Sequence, residues 1–184
     1  MTQILYTERL ALKPPQAVTV AQLHAYHKLN RQHFIQGGGI LPVSAWDCRR
    51  RLSFERKQWR QGSAYRFYGF LGKNLVLDIG LSNVIRGLFY AAHLGYRTDK
   101  AHQGQGLMSE AARAVVDFAF HEVCLHRIMA NYQPDNLASG RVLEKLGFKQ
   151  EGFAPDYLLI GGQWRDHILT ALTYPHWQKP SAPS

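Results

Sequence analysis

The sequence contains few cysteines, few acidic side chains and no long hydrophobic run. Its two cysteines, Cys48 and Cys124, lack the spacing of metal ligands, so we expect two reduced thiols and no metal site. No apolar stretch approaches the roughly 20 residues that a membrane-spanning helix needs, and the charged N-terminal segment does not resemble a secretory signal. These features argue against a disulfide-stapled or membrane-spanning protein and predict a cytoplasmic one.

The segment from Leu94 to Glu110 is the most informative motif of the chain. In it, Gln103-Gly104-Gln105-Gly106 is followed, from about Leu107, by apolar residues at helical spacing. Small residues permit a sharp turn in which consecutive backbone N–H groups face one ligand, and the helix N-terminus adds its positive dipole end. A strand, a glycine turn and a helix N-terminus in this order predict a cradle for a pyrophosphate.

Two common phosphate-binding loops do not match this segment. The ATP-binding loop needs a glycine upstream of Gly-Lys and a Ser or Thr after it, but Gly72-Lys73 lacks that glycine and precedes Asn74. The dinucleotide pattern needs three glycines, and Ser109 occupies the third position after Gly104 and Gly106. An ordinary turn before a helix is the alternative for so short a motif.

Hydrophobic periodicity divides the chain into elements in the order β-α-α-β-β-β-α-β-α-β-β. This order predicts an α/β protein with a mixed sheet and helices on both sides, in one domain over residues 1–178 with a flexible tail at 179–184. The predicted strands are Leu5–Leu12, Tyr65–Leu71, Leu75–Ser82, Leu88–Arg97, His126–Tyr132, Phe148–Ile160 and Trp164–Leu172, with hairpin turns at Gly72-Lys73-Asn74 and Gly161-Gly162. The predicted helices are Val18–Phe34, Ser44–Arg60, Leu107–Glu122 and Asn136–Phe148, the last ended by Gly147.

Several motifs together resemble the GNAT acyltransferases. The glycine loop is similar to their Q/R-x-x-G-x-G/A signature, with Gln103, Gly106 and, in the last place, Met108. The strand HRIMANY and the Asn-capped helix after it look like the second coenzyme A motif of that superfamily. SNVIRG, HRIMANY and YLLIGGQWRDHILTALT resemble its Rim branch, the ribosomal-protein-alanine N-acetyltransferases of RimJ type.

The resemblance implies a fold, a reaction and a cosubstrate. The GNAT fold is a mixed, mostly antiparallel twisted sheet flanked by helices on both faces. The implied reaction is acetyl transfer from acetyl-coenzyme A to the N-terminal alanine of a small-subunit ribosomal protein, by direct attack of the amine. The implied cofactor-binding residues are Leu94, Gly95, Tyr96, Gln103, Gly104, Gln105, Gly106, Leu107, Met108 and Asn136.

The implied catalytic residues are Ser139 and His93. Many GNAT enzymes carry a Tyr general acid on the helix after the Asn, but the matching residue here is Leu143, and Ser139 matches the substitute of the Rim branch. His93 stands where many relatives have a Glu base; a structural His on a half-buried strand is the alternative. A free α-amine has a pKa of about 7.7–8 and a Lys amine one of about 10.4, so an α-amine needs less help from a base.

The acceptor side is less well defined by the sequence. The resemblance implies acceptor contacts at Asn83, Arg86, Tyr157 and Trp164, although cross-strand packing of the aromatic residues is the alternative. Rim relatives often have an aromatic-acidic loop after the first helix, where this chain has Gly37-Gly38-Gly39. A different acceptor is therefore an open alternative: another protein N-terminus or a small amine. A ribosome-assembly factor with vestigial coenzyme A binding is the non-enzymatic alternative.

The charge of the chain favours an anionic partner. Lys and Arg number 22 against 13 Asp and Glu, which gives a net charge of +9. The second predicted helix concentrates this charge at Arg49–Arg51, Arg56, Lys57 and Arg60. Ribosomal RNA is one partner that fits; a solvated face that also attracts coenzyme A is the alternative.

Overall fold

The computed structural model describes residues 3–36 and 42–179. Within these ranges the chain forms eight strands and five helices, with 3₁₀ turns at Pro15–Ala17 and Lys100–His102. The strands are β1 (Leu5–Tyr6), β2 (Leu10–Lys13), β3 (Tyr65–Leu71), β4 (Asn74–Ile85), β5 (Ala91–Thr98), β6 (Arg127–Met129), β7 (Lys149–Ile160) and β8 (Gln163–Thr173). The helices are α1 (Val20–Leu29), α2 (Arg31–Gln36), α3 (Ala45–Gln61), α4 (Leu107–His121) and α5 (Leu137–Lys145).

The strands form one sheet in the order β1-β2-β3-β4-β5-β6-β8-β7. Among the described strands, β5 and β6 run parallel and the other neighbours run antiparallel. The parallel pair needs a long crossover connection, which α4 provides. The prediction of an α/β protein with a mixed, mostly antiparallel sheet is confirmed.

The two parallel strands separate partway along their length. β5 and β6 pair over three positions, from Ala91 with Arg127 to His93 with Met129. Beyond them β5 stays paired with β4, whereas the segment that follows β6 bonds to β8: the Ala130 N–H donates to the Thr170 carbonyl at 3.0 Å. The sheet is therefore open between β5 and β6 from Leu94 onward.

Helices cover both faces of the sheet, as predicted. On one face, Val115 of α4 and Leu81 of β4 belong to one buried cluster. On the other face, Leu23 of α1 lies in a second cluster with Tyr68 of β3. Because β4 is covered on both sides, Val76–Leu81 are all buried, which explains the nearly continuous apolar run of this strand.

The first predicted strand is in fact two strands joined by a turn. The Thr7 N–H donates to the Leu10 carbonyl at 2.9 Å, and the Thr7 hydroxyl and the Arg9 backbone N–H both donate to the carboxylate of Glu110. The prediction of one strand over Leu5–Leu12 is wrong because the turn depends on a carboxylate that lies far away in the sequence.

The first predicted helix is also divided. α1 begins with a capping box between Thr19 and Gln22 and ends at Asn30. The Asn30 amide donates to the Asp99 carboxylate at 3.2 Å, and its carbonyl accepts from the Lys100 N–H at 3.1 Å. This side chain ties the helix break to the end of β5, so a continuous helix over Val18–Phe34 is wrong for a tertiary reason.

Other boundaries differ by a few residues. β5 begins at Ala91 rather than Leu88, because Gly87 and Tyr90 have φ angles of 78° and 44° and form a turn. β6 covers less than the predicted His126–Tyr132. The glycine turns before β4 and β8 are confirmed, whereas the predicted tail at 179–184 lies outside the described residues apart from Lys179.

Candidate active site

The glycine loop joins β5 to α4 in the conformation that the sequence predicts. Gly104 and Gly106 have φ angles of 74° and 78°, in the left-handed region that glycine tolerates best. Gly106 is the N-cap of α4 and offers no side-chain acceptor to the first turn of the helix. The N–H groups of that turn therefore remain available to an anion.

An arginine that sequence reasoning missed holds this loop in place. Arg9 donates to the Gln105 carbonyl at 3.0 Å and forms a two-point contact, at 2.7 Å each, with the Glu110 carboxylate on the first turn of α4. Burial alone would raise the pKa of Glu110, but hydrogen bonds from Thr7 and Arg9 hold that pKa below its usual value. The β1–β2 turn thus holds both the glycine loop and the first turn of α4.

A cleft of about 830 Å³ extends from the glycine loop to the opening between β5 and β6. A smaller cavity of about 160 Å³ adjoins it and is lined by Leu94. Gln105 lines neither, because its side chain turns back to the Ala101 carbonyl at 3.1 Å. The other predicted cofactor residues line the main cleft: Gly95, Tyr96, Gln103, Gly104, Gly106, Leu107, Met108 and Asn136.

Cations that the sequence did not single out surround the cleft. Arg141 and Lys145, one turn apart on α5, line it on one side, and Arg66 and Arg97 line it from the sheet. The spacing of Arg141 and Lys145 was a readable signal, because residues four apart share a helix face. Positive side chains around a cleft favour a ligand with several negative charges.

Ser139 lies at the cleft beside an unexpected phenol. Its N–H donates to the Asn136 side chain at 3.1 Å, which confirms Asn136 as the N-cap of α5. The Tyr96 hydroxyl is 2.8 Å from the Ser139 hydroxyl. Burial raises the pKa of Tyr96 to about 12, so the phenol keeps its proton at neutral pH.

His93 is placed away from this pair. It lies between Ser82 of β4 and Met129 of β6, and its side chain leaves β5 on the face opposite to Tyr96. Among the described residues nothing bonds to its buried Nδ1, and burial lowers its pKa. His93 lines neither cavity, so the structure does not bring it together with Ser139.

A buried carboxylate under the cleft organises the arginines. Asp78 is fully buried on β4, with the Arg97 Nε at 2.9 Å, an Arg66 nitrogen at 3.3 Å and an Arg51 nitrogen at 3.9 Å. Burial alone would raise the pKa of Asp78, but the three guanidinium groups outweigh burial and lower this pKa below its usual value. The carboxylate therefore stays charged. Arg66 also donates to the Gly95 carbonyl at 3.4 Å. The sequence signal was one Asp within an apolar strand.

The predicted acceptor residues lie outside the main cleft. Asn83 and Arg86 are exposed near the end of β4, and Arg86 donates to the Gly62 carbonyl at 3.0 Å. Trp164 is exposed near the tip of the β7–β8 hairpin. Tyr157 is closer: its hydroxyl accepts from Asn131 at 3.1 Å, and its ring lies 5.4 Å from that of His167. Asn131 and His167 both line the smaller cavity.

The departure at Gly37–Gly39 lies outside the described residues. The residues just before it border the cleft: His33 and Phe34 line it, and a His33 ring nitrogen is 3.0 Å from the Gln103 amide. The end of α2 therefore touches the glycine loop.

Two further findings concern the described part of the chain as a whole. Cys48 is buried, Cys124 is half-buried, and neither is in a disulfide; no cluster of three or more potential metal-ligating side chains occurs in the described ranges. Every helix within residues 3–36 and 42–179 is too short or too polar to cross a bilayer.

Comparison with known proteins agrees with this arrangement. A family model for the acetyltransferase (GNAT) domain matches residues 9–149. The ribosomal protein uS5-alanine N-acetyltransferase of Escherichia coli K12 is 41% identical over 184 residues, covering 94% of this chain and 92% of the relative. The ribosomal-protein-S5-alanine acetyltransferase structure from Vibrio fischeri matches with a TM-score of 0.88 and 29% identity, over 96% of this chain and 100% of that one. RimJ from Mycobacterium smegmatis, solved with CoA-disulfide, matches with a TM-score of 0.82 and 27% identity, over 94% and 86% of the two chains.

Proposed function

The chain belongs to the GNAT acetyltransferase family, and from that premise we propose that it transfers an acetyl group from acetyl-coenzyme A to the N-terminal alanine of a small-subunit ribosomal protein. The observation that carries this proposal is the 41% identity, over 94% of the chain, to the uS5-alanine N-acetyltransferase. The cleft between β5 and β6 supports the same class of reaction, because it joins an anion cradle to an opening in the sheet.

The residues of the cleft suit coenzyme A. A Cβ at Gly104 would meet nothing within 4 Å, and one at Gly106 would meet a single arginine nitrogen, so the loop is open to a bulky phosphate. The N-terminus of α4 would receive the pyrophosphate, and Arg141 and Lys145 would add charge for the remaining phosphate. Leu94, Gly95 and Tyr96 would bind the pantetheine arm through their backbone where β5 has left β6, with Asn136 nearby.

The same cleft would keep the attacking amine neutral. Arg66 and Arg97 line it, and their shared partner Asp78 is already engaged by three guanidinium groups. A like charge nearby disfavours the ammonium form, which lowers the pKa of an amine that starts at about 7.7–8. An α-amine would thus reach its nucleophilic form without a dedicated carboxylate. His93 does not reach this amine, because its side chain leaves β5 on the other face and lines neither cavity; the amine proton would pass to water in the open cleft.

The departing thiolate needs a proton donor. The amine nitrogen forms a bond to the acetyl carbon, the carbon–sulfur bond breaks, the amine loses a proton and the sulfur gains one. We assign the donor role to Ser139, whose hydroxyl is polarised by the Tyr96 phenol 2.8 Å away. This pair would take the place of the Tyr that Leu143 replaces.

Several parts of the proposal concern the surroundings of the reaction. The protein would act in the cytoplasm, as one domain over residues 1–178, and its basic surface would contact the ribosome or ribosomal RNA. Tyr157 would border the acceptor path through Asn131, and Asn83, Arg86 and Trp164 would contact more distant parts of the acceptor.

Labelled acetyl transfer tests the proposal directly. Purified protein is incubated with labelled acetyl-coenzyme A and ribosomes from cells that lack the enzyme, and the modified protein and position are identified by mass spectrometry. The expected result is one small-subunit protein labelled on its N-terminal alanine. Ser139→Ala should slow the labelling while leaving coenzyme A affinity unchanged, and Ser53→Ala, at an exposed serine of α3 outside the cleft, is the matched control.

Other outcomes would contradict parts of the proposal. Coenzyme A binding without ribosomal labelling would replace the acceptor by another N-terminus or a small amine. Full assembly activity in a Ser139→Ala variant, with no labelling by the wild type, would favour the assembly-factor alternative. Coenzyme A affinity that survives Gly106→Trp would reject the placement of the pyrophosphate.

A further inference from the structure

The six basic residues of α3 have two different roles. Arg51 is bound to Glu55 at 2.9 Å beneath the helix, and Arg56 donates to the carbonyls of Pro15 and Val18. These two hold α3 to the rest of the fold. The others are exposed, and none forms an ion pair with any residue in the described ranges: Arg49, Arg50, Lys57 and Arg60.

The two acidic residues of α3 offset only part of this exposed charge. Asp47 accepts the backbone N–H and the hydroxyl of Ser44 and so caps the helix. Glu55 is buried, where it accepts from the Tyr68 hydroxyl at 2.6 Å and pairs with Arg51. The exposed surface of α3 therefore remains strongly basic, with four cations against the single carboxylate of Asp47.

Two large aromatic side chains lie among these cations. Trp46 is 63% exposed and Phe54 is 60% exposed. Trp46, Arg50, Phe54 and Lys57 follow one another at spacings of four, four and three residues, which places them on one face of the helix. The Arg50 guanidinium lies 4.6 Å from the centre of the Trp46 ring. We call these four residues the α3 stripe; at 1.5 Å per residue it is about 16 Å long.

We propose that the α3 stripe binds single-stranded RNA, with phosphates on Arg50 and Lys57 and bases stacked on Trp46 and Phe54. Alternating cations and exposed aromatic rings suit this ligand, since a flexible strand presents charge and stacking surfaces together. An acidic protein would need the cations but not the rings. A membrane surface would need a wide apolar face, whereas Cys48 and Leu52 of α3 are buried in the fold. The inference rests on the proposed function for the source of the RNA, an unpaired segment of the ribosome.

The stripe is separate from the acetylation site. No residue of α3 lines the main cleft or the smaller cavity among the described residues. Binding of RNA on α3 and acetylation of a free peptide can therefore be measured independently.

Fluorescence anisotropy with a labelled single-stranded RNA of about 12 nucleotides tests the inference, over a salt series from about 50 to about 200 mM. In Arg50→Gln/Lys57→Gln, removal of two cations should reduce the slope of log affinity against log salt by about 1.4, at about 0.7 for each phosphate contact. In Trp46→Ala/Phe54→Ala, affinity should fall at least about fivefold for each ring, with the slope retained.

Control variants remove the same number of cations, or one exposed ring, elsewhere. Arg113→Gln/Lys149→Gln changes two exposed cations on α4 and β7, and Tyr6→Ala removes an exposed ring on β1. Both should bind the RNA like the wild type. Equal losses of affinity in the controls and the stripe variants would overturn the inference and attribute RNA binding to net charge alone. Absence of RNA binding by the wild type would also overturn it.

Acetylation of a peptide that begins with the acceptor's N-terminal alanine separates this inference from the proposed function. The stripe variants should acetylate the peptide at the wild-type rate and label intact ribosomes more slowly. Peptide acetylation without RNA binding rejects only the RNA-binding role of the α3 stripe. RNA binding without acetylation of any N-terminal alanine rejects the proposed function alone.

Discussion

Tyr96 delivers a phenol to the Ser139 hydroxyl from a strand instead of from the helix that carries Ser139. The resemblance to the Rim branch pointed to Ser139, which lies three residues after the local cap at Asn136. It could not locate Tyr96 in this role, since the contact joins residues that are 43 positions apart. The hydroxyl pair therefore had to be seen in the structure.

Removal of the phenol should impair turnover more than binding. We expect Tyr96→Phe to lower kcat about tenfold, the effect of one hydrogen bond worth about 1.4 kcal/mol, with coenzyme A affinity unchanged. Ser139→Ala should cost about a hundredfold, and the double variant less than the product of the two losses. Tyr174→Phe, at a tyrosine stacked on Phe120 outside the cleft, is the control. Multiplicative losses would show that the two hydroxyls act separately.

His27 makes the fold sensitive to acid. It is buried on α1, neither ring nitrogen has a hydrogen-bond partner among the described residues, and burial followed by the nearby Arg51 lowers its pKa to about 3. In the unfolded chain His27 takes up a proton below a pH of about 6.5, whereas in the folded state it stays neutral at that pH. Its contribution to stability is complete above that pH and is lost as the pH falls from about 6.5 toward 3.

Replacement of His27 by Phe should remove this pH dependence. In urea unfolding at pH 7, 6 and 5, the free energy of unfolding of His27→Phe should fall less steeply with decreasing pH than that of the wild type. The difference should be up to about 1.4 kcal/mol for each pH unit. His24→Phe on the same helix is the control. Parallel pH profiles for wild type and His27→Phe would mean that another group takes up the proton.

At the scale of elements, the β1–β2 turn positions a loop that it does not belong to. Arg9 contacts Gln105 and Glu110 and does not line the cleft. We expect Arg9→Ala to weaken coenzyme A binding about tenfold, since about 1.4 kcal/mol of loop ordering would then be lost, with kcat nearly unchanged at saturation. Calorimetric titration measures the affinity, and Glu8→Ala is the neighbouring control. A lower stability with unchanged affinity would limit Arg9 to a structural role.

The elements show which structural features are readable from sequence. The glycine loop, the Asn136 cap and the glycine hairpins were predicted because their causes lie within a few residues. The turn at Thr7–Arg9 and the break at Asn30 were missed because their partners, Glu110 and Asp99, lie 69 to 103 positions away. The arginines around Asp78 were missed for the same reason, since no local pattern indicates which cations are buried.

At the scale of the whole molecule, Asp78 connects the helical layer to the sheet. It binds Arg66 of β3, Arg97 of β5 and Arg51 of α3. We expect Asp78→Asn to lower the free energy of unfolding by about 3–5 kcal/mol, because the variant leaves buried positive charge without its partner. Urea denaturation measures the loss, with exposed Asp117→Asn as the control. A loss near that of the control would mean that solvent reaches the arginines.

The three-position contact between β5 and β6 has a consequence for the lifetime of the protein. Five strands lie on one side of it and three on the other. The smaller cavity is lined by Leu94 of the first group and His167 of the second, so a ligand that extends from the cleft into this cavity would contact both groups. A ligand at a hundredfold excess over its Kd adds about 2.7 kcal/mol to the free energy of unfolding, and the Tm should rise accordingly with coenzyme A in a thermal-shift assay. A fixed Tm at saturating coenzyme A would contradict this. If the Tm does rise, the cellular concentration of coenzyme A would determine how much of the protein escapes proteolysis, as well as the rate of acetylation.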